Sequence, residues 1–148
     1  MSTISKIYSY EEISNNLISF ISGGFVPDRA RDYEKIHSDI TIFLHHIYEY
    51  EKGLRNLVLY TSKVSYKDFI EKKLSDKHID YLIHHVTDSK INVFFGNSLC
   101  IDVLKNFGNK GLKEFTNEED FILGIMLGYG RLKQCERYIK RKKILKID

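Results

Sequence analysis

One run of apolar side chains constrains this chain more than any other feature. In EEDFILGIMLGYGRLKQCERYIK (118–140), Phe121, Ile125, Gly128, Leu132, Cys135 and Ile139 recur at spacings of 4, 3, 4, 3 and 4. An α-helix turns once in about 3.6 residues, so these positions share one face. Thr116-Asn117-Glu118-Glu119 stands before the run as a capping box, with acidic residues where the helix dipole favours them. The spacing predicts a long helix with an inward seam, bent at Gly128-Tyr129-Gly130. Gly124 and Gly128, one turn apart, leave room for a close neighbour.

The same helix carries the charge. Residues 131–148 hold eight basic side chains against two acidic ones, a net +6, while the whole chain is only +3 and the rest sums to −3. Basicity therefore belongs to one end of the chain. Part of it answers the negative pole of the helix dipole. The whole segment reads either as a solvated helix end or as a docking surface for something acidic, and on the second reading Arg131, Lys133, Arg137, Lys140, Arg141 and Lys143 are its expected residues.

Around this helix the sequence predicts a small α+β protein. Its 148 residues, 43% hydrophobic and 29% charged, suit one globular body with a sizeable core. No apolar run reaches the roughly 18 residues of a membrane span, and the first residues lack the layout of a secretory signal. The two cysteines, Cys100 and Cys135, have no CxxC spacing and read as buried, reduced thiols, which fits a cytoplasmic protein.

Ser9 to Glu12 forms a capping box, and Tyr10, Ile13, Leu17, Phe20 and Ile21 mark a helical face closed by Gly23-Gly24. Residues 25–39 read as a linker, so 1–39 is an N-terminal helix-and-linker extension and 40–148 a single α+β domain. Within that domain ITIFLHHIY (40–48) is β-branched and aromatic and reads as a strand. Tyr50, Leu54, Leu57 and Val58 follow at helical spacing, then a helix opened by Ser65 and Asp68 with Phe69, Ile70 and Leu74 inside. YLIHHV and INVFFG make a hairpin around Asp88-Ser89. Asn97 or Ser98 caps the next helix, which carries Cys100, Val103, Leu104 and Phe107 and stops at Gly108. The body order is β-α-α-β-β-α-α, with a three-stranded sheet and about five or six helices in all.

Two stretches, HHIYEYEKGLRNLVLYT (45–61) and EEDFILGIMLGYGRLKQCERYIK (118–140), resemble a family of small bacterial proteins, the domain-of-unknown-function family numbered two thousand and twenty-three. The resemblance covers roughly Ile40 to Lys143. It implies three strands, about five helices, a homodimer and a genomic association with flavodoxin. It supplies no catalytic residues.

Four of the six histidines come as adjacent pairs, His45-His46 and His84-His85. Neighbours in a strand face opposite ways, so neither pair offers both rings to one site. A two-residue turn would pair Val86 with Ile91, His84 with Val93 and Leu82 with Phe95, putting His46 and His84 toward the core. His45 and His85 would then share the second face, where they are the candidate metal ligands. That face also carries Phe43, Ile47, Ile83 and Phe94, too apolar to leave in water. The N-terminal helix, other helices of the chain or a second subunit must cover it, and a homodimer interface is one way to do so.

No HExxH, GxSxG, GxGxxG or Walker lysine is present, and no catalytic constellation emerges. The expected function is that of a non-catalytic accessory or binding protein without a cofactor, docking an acidic partner such as flavodoxin. The rivals are a metal- or haem-handling protein using His45 and His85, and a nucleic-acid binder using the basic helix. The basic segment has one aromatic, Tyr138, and no recognisable DNA-binding motif, which weighs against the latter.

Overall fold

A computed structural model describes residues 30–147 and, within them, the side chains of 35–143. The expected helix at 10–21 lies outside the described residues. Within them the chain is α+β, with five α-helices and a three-stranded antiparallel sheet. Class, strand number and helix number are as the sequence led us to expect. The first strand stands elsewhere.

Residues 40–48 are helical. They belong to α1, Ala30–Glu51. Ile40, Phe43, Leu44 and Ile47 are its buried positions, at i, i+3, i+4 and i+7, which is the signature of a helix face and not of a strand. The β-branched and aromatic composition here misleads because burial on one helix face outweighs a weak intrinsic preference. The helix ends at Glu51, two residues before Gly53 at φ 76, and the chain divides there into two compact units.

The first strand is β1, Leu57–Lys63, in the stretch read as helical. Gly53 interrupts any helix running from Tyr50 into Leu57, and LVLYTSK is itself β-prone. A 3-10 turn at Val64–Tyr66 leads into α2, Lys67–Asp76, which buries Phe69, Ile70 and Leu74. α2 closes with the amide of Ile79 on the Leu74 carbonyl and that of His78 on Ser75, His78 taking the left-handed position at φ 55.

Strands β2, Asp80–His85, and β3, Lys90–Gly96, form the expected hairpin, and β3 sits centrally in the order β1-β3-β2. Their register differs by one residue from a two-residue turn. Leu82 faces Phe94, Ile83 faces Val93 and His84 faces Asn92. Thr87 is the cause. Its hydroxyl accepts from the amides of Ser89 and Lys90 at 3.2 and 3.1 Å, and the amides of Val86 and Thr87 both donate to the Lys90 carbonyl. The loop is therefore Thr87-Asp88-Ser89, and one added residue moves every later side chain to the opposite face.

The sheet face bearing Leu57, Leu59, Leu82 and Phe94 packs with α3, Ser98–Asn106, and α4, Asn117–Met126. Leu57, Phe94, Ile101, Leu104 and Leu123 form a buried cluster there, with Cys100, Phe107 and Phe115 against it. Burial raises the Cys100 thiol pKa, so its thiol form is favoured. On the opposite face Val58, Ile91, Val93 and Phe95 have no exposed surface. The chain finishes with α5, Arg131–Ile147.

Three of the four side chains expected at a dimer interface are therefore taken up inside a single chain. Phe43, Ile47 and Phe94 are fully buried, and Ile83 is half-buried. Phe43 and Ile47 lie on a helix and not on the sheet, and the observed register puts Ile83 and Phe94 on opposite sheet faces, so the four do not form one uncovered sheet face.

Candidate functional site

The long C-terminal helix is two helices. α4 stops where Gly128, at φ 84, donates to the Ile125 carbonyl and Tyr129 donates to that of Gly124. This pairing of left-handed glycine with two back-reaching amides is a Schellman close. α5 restarts at Arg131 and runs back along α4. The break resets the helical phase, so the apolar run beginning at Phe121 does not continue as one inward seam.

The start of α4 is built as its sequence dictates. The Thr116 hydroxyl accepts from the Glu119 amide at 3.1 Å, and Glu119 Oε1 accepts from the Thr116 amide at 2.9 Å. Lys110 Nζ reaches the same oxygen at 2.5 Å, and this contact holds the Glu119 carboxyl below the usual range. Three acidic residues, Glu118, Glu119 and Asp120, thus stand at the positive pole of α4.

Reversal of the chain brings the basic half of α5 alongside them. Arg137 donates to both oxygens of Asp120, at 3.0 and 3.3 Å, and Arg141 approaches Oδ1 at 3.4 Å. Asp120 in turn raises the Arg137 pKa. Lys142 pairs with Glu118 and lowers the pKa of its carboxyl, while the Tyr138 hydroxyl donates to Glu118 at 3.1 Å. The Tyr138 ring packs on Phe121 with centroids 5.5 Å apart. Gln134 lies over Gly124, close enough that a Cβ on that glycine would displace its side-chain amide.

The six cations predicted to face a partner consequently divide. Arg137 and Arg141 fasten α5 to Asp120, and Lys140 pairs with Glu136 one turn away at 3.2 Å. Arg131, Lys133 and Lys143 are exposed and make no ion pair among the described residues. Sequence reasoning missed the apolar side of this surface. Leu132 is 85% exposed, Ile139 48% and Ile122 38%, and Cys135, expected to be buried, is exposed too. With Glu118, Phe121 and Tyr138, the last three line a groove of about 420 Å³ between α4 and α5. The signal that reveals them is the phase change at Gly128–Gly130.

The candidate metal ligands are placed otherwise than on one sheet face. His45 is on α1, where its Nε2 stands 3.1 Å from Glu49, and His46 Nδ1 lies 3.5 Å from the same carboxylate oxygen. His85 is an exposed residue of β2 and belongs to the other compact unit. Among the described residues no group of three or more His, Cys, Asp or Glu is disposed to hold a metal ion. His84 is half-buried, edge-on to Phe94 at 5.5 Å, with no hydrogen bond to its Nδ1. The turn after β3 is a helix cap, Asn97 Oδ1 accepting from the Leu99 amide at 2.9 Å.

No curated protein matches the chain. The family model for proteins of unknown function named DUF2023 matches residues 41–141, from the second half of α1 through Arg141 of α5, and the chain belongs to that family.

Proposed function

We propose that this protein is a binding module that docks an acidic protein partner through the outer face of α5. The observation that carries the reading is the pairing of an exposed apolar stripe with unneutralised cations. Leu132, Cys135 and Ile139 follow at i, i+3 and i+7 on α5, and the last two share a groove with Ile122 of α4. Helical spacing puts Arg131 one turn before Cys135, and Lys143 one turn after Ile139. Apolar area would supply the affinity, and the cations orientation and encounter rate.

Large exposed apolar side chains close together on one helix face are the usual mark of an interaction surface. An acidic partner is favoured because the basic excess of 131–148 survives the ion pairs inside the hairpin, leaving Arg131, Lys133 and Lys143 unmatched. Flavodoxin, which the family resemblance brings forward and which is typically acidic, is the partner of choice for the test.

Calorimetric titration with flavodoxin at low and at moderate salt is the decisive experiment. Binding that weakens with salt is expected, with the triple variant Arg131→Gln, Lys133→Gln, Lys143→Gln losing most of the salt dependence. Leu132→Ser should lower affinity at every salt concentration. Absence of heat at low salt, or binding untouched by both variants, would overturn the reading.

A further inference from the structure

The hairpin has a second cleft, on the side of the α4–α5 contact away from the apolar groove. It measures about 460 Å³, within the range of about 300–1,000 Å³ common for small-molecule sites. Leu59 of β1, Phe115 and Leu123 give it an apolar floor, and Lys113, Arg137 and Arg141 stand on its rim. Asp120 is the one carboxylate among its lining residues, so the rim is cationic by two charges.

Those cations are not equally committed. Arg137 satisfies Asp120 with two hydrogen bonds. Arg141 approaches the same carboxylate at one point, at 3.4 Å, and Lys113 makes no ion pair among the described residues. A guanidinium with donors to spare and an unpaired ammonium, lining one cleft with apolar side chains, suit an oxyanion carrying an apolar body. We propose that this cleft binds a small amphipathic anion, its carboxylate or phosphate headgroup held by Arg141 and Lys113 and its body laid against Leu59, Phe115 and Leu123. The cleft and the docking face share α5 but not these residues, so either reading can fail alone.

The test uses 8-anilinonaphthalene-1-sulfonate, an anionic dye of suitable shape that brightens in apolar surroundings. One saturable dye site per folded chain is expected. Lys113→Gln, which has no ion pair to lose, should weaken it several-fold. Adding Arg141→Gln should bring the loss to about tenfold or more, as removal of charge-assisted hydrogen bonds does. The uncharged analogue N-phenyl-1-naphthylamine should bind at least about tenfold more weakly. Ile139→Asp, in the opposite groove, should leave dye affinity unchanged. Displacement by octanoate, by octyl phosphate or by both supports the site and identifies the preferred headgroup. Equal binding of the uncharged analogue, indifference to the charge substitutions, loss on Ile139→Asp, or displacement by neither octyl compound overturns the proposal.

Discussion

Arg137 and Asp120, 17 residues apart, meet through two hydrogen bonds of 3.0 and 3.3 Å, and this contact fastens the basic helix to the acidic start of the one before it. Both side chains keep solvent contact, at 50% and 25% exposure, so solvent screening limits what the pair contributes. Arg137→Gln should lower unfolding free energy by about 0.2–1 kcal/mol, the range of exposed ion pairs. Asp120→Asn should cost at least as much, because Asp120 also meets Arg141 and stands in the first turn of α4. Urea unfolding of the two variants and their double mutant gives the coupling, which should shrink in molar salt.

Gly96 closes β3 in a conformation that only glycine adopts readily, φ 147. A Cβ there would run into the Asn56 carbonyl oxygen and lie 3.1 Å from Leu57 Cα. That carbonyl is already fixed, accepting from the Asn97 amide at 2.9 Å. Neither obstacle is a movable side chain. Gly96→Ala should therefore cost at least about 2 kcal/mol in urea unfolding, from backbone strain and displacement of the start of β1. Gly111, with nothing within 4 Å of its Cβ position, is the control, and Gly111→Ala should be near neutral.

Neither of these contacts is legible in the sequence, because each joins residues far apart along the chain. Local chemistry reads well: the Thr116–Glu119 capping box, the Asn97 cap and the β2–β3 hairpin are each written in a few adjacent residues. Errors arise where composition and period disagree. Ile40, Phe43, Leu44 and Ile47 carry strand-like side chains at helix-like spacing, and the spacing wins because burial acts on positions, not on residue types. The hairpin register slipped for a smaller reason, one Thr87 hydroxyl bonding the turn. The surface proposed for docking was half visible. Charge excess on α5 is a property of composition, whereas the exposure of Leu132 depends on a helix break that shifts its phase. The Arg137–Asp120 and Lys142–Glu118 pairs, which remove cations from the surface, require the hairpin's geometry and have no local signature.

His78 occupies a glycine's place. At φ 55 it takes the left-handed position after α2, donating to the Ser75 carbonyl at 3.0 Å. An L side chain there costs on the order of 1 kcal/mol, which glycine avoids while adding some freedom to the unfolded chain. His78→Gly should thus gain roughly 0.5 kcal/mol, read as a higher urea midpoint. No gain would mean that the imidazole makes contacts worth as much as the strain.

His84 should make the fold sensitive to acid. Its ring lies against Phe94, its Nδ1 has no hydrogen bond, and Asn92 is its cross-strand neighbour. Burial disfavours the imidazolium and lowers the pKa from 6.5. The unfolded chain therefore takes up this proton at a higher pH than the folded one, and stability must fall as protons are added. It is full above about 6.5, declines as the pH drops from there through the folded value, and is level below. His84→Leu removes this titration while keeping an apolar contact with Phe94. Urea midpoints between pH 8 and pH 5 should fall less steeply for the variant than for the parent chain. Parallel profiles would show that the His84 ring is solvated when charged, and that acid sensitivity arises from other groups.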